Sequence, residues 1–165
     1  MKSPTGIKYY ESGLFLVRDM ERRDITEISK RMRKSDIDEV WATRHYSPID
    51  AMLCCWAKST TMLTIERSGF AVLSFGIVPD NLAGRSASIW MLSTDGIFGI
   101  PRSFVRYSRK FINLMLDFYP YLYNFCDIHN GVSLKWLKWC GARLGGIVPY
   151  GIDGRLFQHF CFIRN

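Results

Sequence analysis

The residues best suited to chemistry lie late in the chain, in "DIHNGVSLKWLKWCGARLGG", Asp127 to Gly146. Asp127 and His129 flank the end of a short aromatic-rich run beside Asn130, and Asp95 closes the earlier run "SIWMLSTD". Carboxylates at strand ends could serve as a general base. The competing role for Asp127 and Asn130 is end-of-strand and cap hydrogen bonding, since short polar side chains bind nearby backbone. A second group is cationic. Arg102, Arg106 and Arg109 recur at i, i+4 and i+7 from the positive end of a helical segment, where cations are disfavoured. That placement suits an anionic partner, whether coenzyme phosphate, DNA or an acidic protein surface, or else a solvated basic face opposite the core stripe. His45 and His159 have no partner at catalytic or ligand spacing.

Regular elements must hold these groups in place. "YLYNFCDIH", bounded by Pro120 and by Asn130 and Gly131, reads as a buried strand, and Ser133 to Cys140 as a helix stopped by a left-handed Gly141. A long helix carries Phe104, Ser108, Phe111, Ile112, Met115, Leu116 and Tyr119 on one side until Pro120 ends it. Upstream, Ser35 stands where an N-cap belongs, with Asp36 and Asp38 in the first turn and Ile37, Val40 and Trp41 on one face. Ser47 and Pro48 open another helix whose stripe is Ile49, Met52, Leu53 and Trp56. Leu63 and Ile65, then Phe70, Val72, Phe75 and Ile77, flank a Ser-Gly turn as a hairpin, with Gly76 marking a bulge. "RSASIWMLST" is a further strand, and the tail alternates into a last strand pair around "GIDG". The predicted order from residue 25 is β, α, α, β, β, β, α, β, α, β, with or without one more strand. Residues 1–24 form an N-terminal extension with one extra strand at Gly13 to Val17, and residues 25–165 a single domain.

Composition narrows the class. A chain of 165 residues fits one domain that buries roughly two-thirds of its unfolded surface. With 48% apolar and 22% charged residues and no repeat, disordered, fibrous and solenoid architectures are excluded. No apolar run approaches the roughly 20 residues that span a bilayer, and "MKSPTGIKYYESGLFLVRDMERRD" breaks its apolar piece with charge, so neither membrane contact nor export is expected. The five cysteines are odd in number, without Cys-x-x-Cys or a His at metal spacing; they read as buried thiols in a reducing cytoplasm, with no metal. A net charge of +7 favours an anionic partner, but no helix-turn-helix, zinc-finger or aromatic RNA-binding pattern points to a specific nucleic acid.

The element order, with "N-x-x-S-x-x-x-x-x-x-x-G" at Asn130, Ser133 and Gly141, resembles the GNAT superfamily of acyltransferases. From "MRKSDIDEVWA" and "SPIDAML" through "WMLSTDG" and "FVRYSRKFINLMLDFYPYLYN" to "SLKWLKWCGA" and "PYGIDGRLFQHF", the chain is similar to a phage-encoded GNAT-like family that includes internal virion and core-assembly proteins of short-tailed phages. The resemblance implies an α/β (α+β) fold: a mixed, mostly antiparallel central sheet with helices on both faces. It implies that the strands before and after the long helix splay apart, with the site between "SIWMLSTD" and "NFCDIHN". It also implies acetyl-CoA as cofactor if the site is active and none otherwise, with contacts at Leu92, Thr94, Gly99, Arg102, Asn130, Ser133 and Trp136. Asp95, Asp127 and Cys140 are the catalytic candidates.

Two departures from the family pattern bear on activity. Its phosphate loop, Arg/Gln-x-x-Gly-x-Gly/Ala, corresponds to "STDGIFGIPRS", where neither Gly96 nor Gly99 gives a fitting register and Pro101 removes an amide donor. Where many members carry the Tyr that protonates the departing thiolate stands Leu137, which is no acid; Cys140 or Tyr123 would have to substitute. The expectation is therefore a phage-encoded protein with a degenerate acyl-CoA site, a non-catalytic virion-internal or assembly protein acting by contact with a phage or host protein. It would reside in the host cytoplasm or be packaged in the virion. The alternative is an active acetyl-CoA-dependent N-acetyltransferase for a protein or small amine.

Overall fold

Alternating apolar residues pair into strands wherever both neighbours can bury them, and here they build one sheet. The computed structural model describes residues 8–12, 15–81, 83–100 and 102–164. Its strands are β1 (Lys8–Ser12), β2 (Phe15–Asp19), β3 (Thr61–Arg67), β4 (Phe70–Pro79), β5 (Ser86–Ser93), β6 (Tyr121–Asp127), β7 (Arg143–Tyr150) and β8 (Arg155–Ile163). They lie in the order β1-β2-β3-β4-β5-β6-β8-β7, antiparallel except for β5 beside β6. The helices are α1 (Arg22–Lys30), α2 (Lys34–Arg44), α3 (Pro48–Lys58), α4 (Arg102–Val105), α5 (Ser108–Phe118) and α6 (Gly131–Cys140), and Asp95–Gly99 forms a 3-10 turn. This is the mixed α/β architecture expected from the sequence.

Helices cover both faces. Ile25 and Ile28 of α1 and Ala51 and Met52 of α3 pack on Ala71, Trp90 and Leu92. On the other face Ile112, Met115 and Leu116 of α5 and Leu137 and Cys140 of α6 pack on Ile77, Ala87, Leu122, Cys126, Phe160 and Phe162. Burial of the larger of these side chains, each Ile, Leu, Met or Phe contributing on the order of 2 kcal/mol, holds the layers together.

Several expectations are corrected. The strand anticipated at 13–17 is β2, hydrogen-bonded along β3, and α1 runs through the boundary drawn at residue 24; Gly13 and Leu14 lie outside the described residues. The helix α2 starts at Lys34 with Arg33, not Ser35, as its N-cap, because Arg33 is held extended by its N–H bond to Ser93 O at 2.9 Å. The hairpin bulge lies at Val72, opposite Ile65 and Glu66, while Gly76 stays in regular pairing with Met62 and is kept free of a side chain by Thr61 O, which a Cβ there would meet at 2.5 Å. The buried side of α3 is Ala51 and Met52, with Ile49 and Leu53 exposed, and Trp41 is 54% exposed, stacked on His45. The long helix is interrupted at Arg106 and Tyr107, so its arginines form no single row. Other readings hold: Ser47 caps α3 ahead of Pro48, and α6 ends at Gly141 with φ +96°, a backbone conformation that glycine adopts without strain.

Candidate active site between the diverging strands

Strands β5 and β6 pair at Ser86, Ala87 and Ser88 with Tyr121, Leu122 and Tyr123, and no further. Beyond those pairs they diverge. At the apex the Asn124 amide replaces a ladder rung: Nδ2 donates to Ile89 O at 2.6 Å and Oδ1 accepts from Phe125 N–H at 2.8 Å. Without it both backbone groups would lose their sheet partner.

The first turns of α2 close the wider part. Asp36 Oδ2 accepts from Ser93 N–H at 2.8 Å and from Ser93 Oγ at 3.0 Å, on the β5 wall. One turn on, Glu39 Oε1 accepts from Asp127 N–H at 3.1 Å and Asn130 Nδ2 at 2.9 Å, and Cys126 Sγ donates to it at 3.6 Å, on the β6 wall. Arg33 stands between them, donating to Asp36 Oδ1 and, at 2.8 Å, to Ser133 Oγ. The spacing i, i+3 is what lets two carboxylates of one helix reach opposite strands. Because Ser93 turns its N–H away from β4, the alternation of antiparallel pairing makes Met91, two residues earlier, present its N–H and C=O to the gap as well.

The environment of Glu39 changes its chemistry. Burial lifts its pKa from the usual 4.5 to about 7; the charges of Asp36 and Asp127 push the same way, and the bonds from Asn130 and the Asp127 N–H oppose. A carboxyl titrating there can take and return a proton near neutrality. Sequence reasoning missed it. Asp36 and Glu39 at i, i+3, on the side of half-buried Val40, were the available signal.

A cavity of about 290 Å³ fills the gap, walled by Glu39, Met91, Leu92, Asn130, Ser133 and Trp136 among others. A second, of about 190 Å³, adjoins it towards the 3-10 turn, sharing Arg33, Ile65, Leu73, Met91, Ser108, Ser133 and Trp136 and otherwise lined by Ile97, Phe98, Ile100, Val105 and Val132. Trp136 Nε1 donates to Ser108 Oγ across the shared wall.

The expected site residues divide accordingly. Leu92, Asn130, Ser133 and Trp136 come together in the cavity wall. Thr94, Gly99 and Arg102 stand outside both cavities: Thr94 caps the 3-10 turn, Gly99 lies against the Arg67 guanidinium, and Arg102 is exposed. Asp95 is exposed on that turn. Asp127 is buried but engaged, its Oδ1 by the N–H and Nδ1 of His129 at 2.9 Å and its Oδ2 by Arg155. Cys140 sits in the apolar cluster under α5, its thiol pushed up to about 12 by burial. Tyr123 donates to Asp80 at the narrow end of the strands, and Leu137 is core. Arg109 serves α6, donating through Nε to Trp139 O at 2.9 Å with its guanidinium 4.5 Å above the Trp139 ring. In the loop before α4, the N–H groups of Gly96, Ile97 and Ile100 are engaged within the turn by Thr94 Oγ1, Thr94 O and Ile97 O. Among the described residues no cluster of His, Cys, Asp and Glu could hold a metal, and no helix is long and apolar enough to cross a membrane.

No protein-family model and no curated protein sequence matches the chain. Solved structures do. Spermidine N-acetyltransferase from Vibrio cholerae, in complex with CoA and spermine, superposes with a TM-score of 0.64 at 17% identity, over 92% of this chain and 96% of that one. A candidate ribosomal-protein-serine acetyltransferase from Vibrio cholerae gives 0.67 at 16% identity, over 98% and 99%. A GNAT-family acetyltransferase from Bacillus anthracis gives 0.64 at 10% identity, over 93% and 96%. With β5 and β6 parallel at one end and parted at the other, between helices on both faces, the chain has the fold of the GNAT acetyltransferases.

Proposed function

We propose that the protein is an acyl-CoA-dependent N-acyltransferase for a small amine, with Glu39 carrying the proton. The observation that carries the reading is a carboxyl titrating near neutrality at the wall of an open gap whose other wall presents the Met91 backbone. The Met91 N–H and C=O suit the amides of an extended arm laid along β5 as an added strand, with Trp136 and Ser108 beside it. The phosphates would rest on the Arg102 and Arg106 side chains, since the Gly96, Ile97 and Ile100 amides are engaged within the turn. When bound, the coenzyme supplies the acyl group as a thioester. As the amine nitrogen bonds to the acyl carbon and the carbon–sulfur bond breaks, Glu39 takes the proton from nitrogen and returns it to sulfur. A carboxyl near 7 serves both steps, because a thiol ordinarily titrates near 8.5. This assignment needs no acid at Leu137. Titration calorimetry with acetyl-CoA, followed by thiol release with a panel of amines, tests it: micromolar binding and amine-dependent release are expected, and no heat at high protein concentration would end it.

A second reading is a phage-encoded virion-internal or assembly protein that acts by contact with a phage or host protein and has lost coenzyme binding. It is favoured by the engaged amides of the turn before α4 and by the edge strand β7, which exposes Leu144, Ile147 and Val148. Under this reading Arg102 and Arg106 meet an acidic protein surface. Mass spectrometry of purified particles distinguishes it: presence in virions without acetyl-CoA turnover supports contact, and absence with turnover removes it.

A further inference from the structure

Two cations reach the wall of the larger cavity. Arg33 is buried against Asp36. Arg44, the last residue of α2, is exposed, and no carboxylate among the described residues pairs with it. It lies close enough to the cavity's Cys55 for its charge to act on that thiol. The negative end of α2 favours a cation at this position but gives the guanidinium no partner. Part of the same wall is apolar and aromatic: Tyr46, Ala51, Trp90, and Phe125 stacked on Tyr150 with centroids 4.1 Å apart.

Resting on the acyltransferase reading, we infer that the acceptor is a free α-amino acid with an apolar or aromatic side chain, whose carboxylate is held by Arg44 while its amine faces Glu39. The two residues are five apart on one helix, roughly 7.5 Å along its axis. Glu39 turns its Oε1 to Asp127, Asn130 and Cys126 and forms no ion pair with Arg44, so that separation stays unbridged. It suits a molecule that makes a hydrogen bond of about 2.8 Å at each end and carries amine and carboxylate on one carbon. An acceptor with an amine alone leaves Arg44 unanswered, and a long polyamine would set a second cation against it. Arginine also matches carboxylate geometry, as its two parallel N–H groups can meet both oxygens.

The test compares L-phenylalanine with L-phenylalaninamide, which differ in the carboxylate charge. Calorimetric binding to the full chain without donor is measured first, then thiol release from acetyl-CoA. Phenylalanine is expected to bind and turn over at least tenfold better than its amide, and Arg44→Gln is expected to raise the phenylalanine Kd and KM about tenfold while kcat falls less than twofold, bringing the acid-to-amide ratio towards one. Equal behaviour of acid and amide, or a preference that R44Q leaves intact, overturns the inference. The donor reading fails separately: phenylalanine binding that depends on Arg44, with no heat from acetyl-CoA, upholds the carboxylate site and removes the transferase; turnover of other amines without acid preference does the reverse.

Discussion

Glu39 Oε1 accepts from Asn130 Nδ2 at 2.9 Å while Asn130 Oδ1 accepts from the Ser133 N–H at 3.3 Å, so one amide both caps α6 and holds the carboxyl of α2. Helix start, strand end and proton carrier are therefore one hydrogen-bonded unit, and disturbing any part should be felt in the others.

Stability should carry the titration of Glu39. Its folded pKa lies above the unfolded value, so between pH 4.5 and about 7 the native state binds more protons than the unfolded one, and stability falls as pH rises through that window. Glu39→Gln keeps the acceptor oxygen without the charge. Denaturant unfolding at pH 5 and pH 8 should show the wild type losing about 2 kcal/mol and E39Q almost none; a parallel loss in both proteins would assign the slope to other groups.

Asn130→Ala removes the cap and a bond that lowers the Glu39 pKa. A stability loss of about 1–2 kcal/mol is expected. The midpoint of the rise of the Glu39-dependent rate with pH should also move upward. A cap loss with no movement of that midpoint would separate Asn130 from the proton carrier.

Asp36→Ala should be the most damaging of these changes, because it leaves the Arg33 guanidinium and the Ser93 N–H buried without their carboxylate. Breaking such a pair costs on the order of 3–5 kcal/mol. Loss of Arg109, which lies on the surface over Trp139, should cost about 1 kcal/mol or less. Thermal unfolding of D36A and R109A side by side ranks them.

Gly151 has φ +75°, and a Cβ there would lie 2.5 Å from Thr43 Cα, where the β7–β8 turn docks on α2 through Ile152 N–H to Thr43 O. Gly151→Ala should therefore lift the hairpin from the helix, with a loss of about 2 kcal/mol and faster amide exchange at Ile152 and Asp153. Unchanged exchange there would show that the contact is not the one that holds the turn.

Local signals made much of this fold legible. Ser47 with Pro48, Asn130 with Gly141, and the "GIDG" turn each act within a few residues, and each appears where its chemistry put it. The helix α1 was hidden because just Ile25 and Ile28 mark its apolar face inside a run of charges, and its third buried residue, Asp24, needs Arg18 from another strand to be neutralised. The interruption of the long helix was invisible because the apolar spacing runs through Arg106 and Tyr107 unbroken. Glu39 escaped notice for a related reason: among Asp36, Asp38 and Glu39, its burial is decided by Asn130, 91 positions away. Spacing within one helix cannot show which carboxylate meets a distant strand end. Asp127, read from the sequence with a cap role in competition, is engaged by Arg155 and His129 at the strand end.

The measurement that bears most directly on the account is thiol release from acetyl-CoA in the presence of an amine acceptor, followed across pH for the wild type and E39Q. The expected result is a rate that rises through about pH 7 in the wild type and falls at least a hundredfold in E39Q, with acetyl-CoA binding kept. Amine-dependent turnover with the same pH profile in both proteins would contradict the assignment of Glu39, and the absence of acetyl-CoA binding in the wild type would contradict the reaction itself.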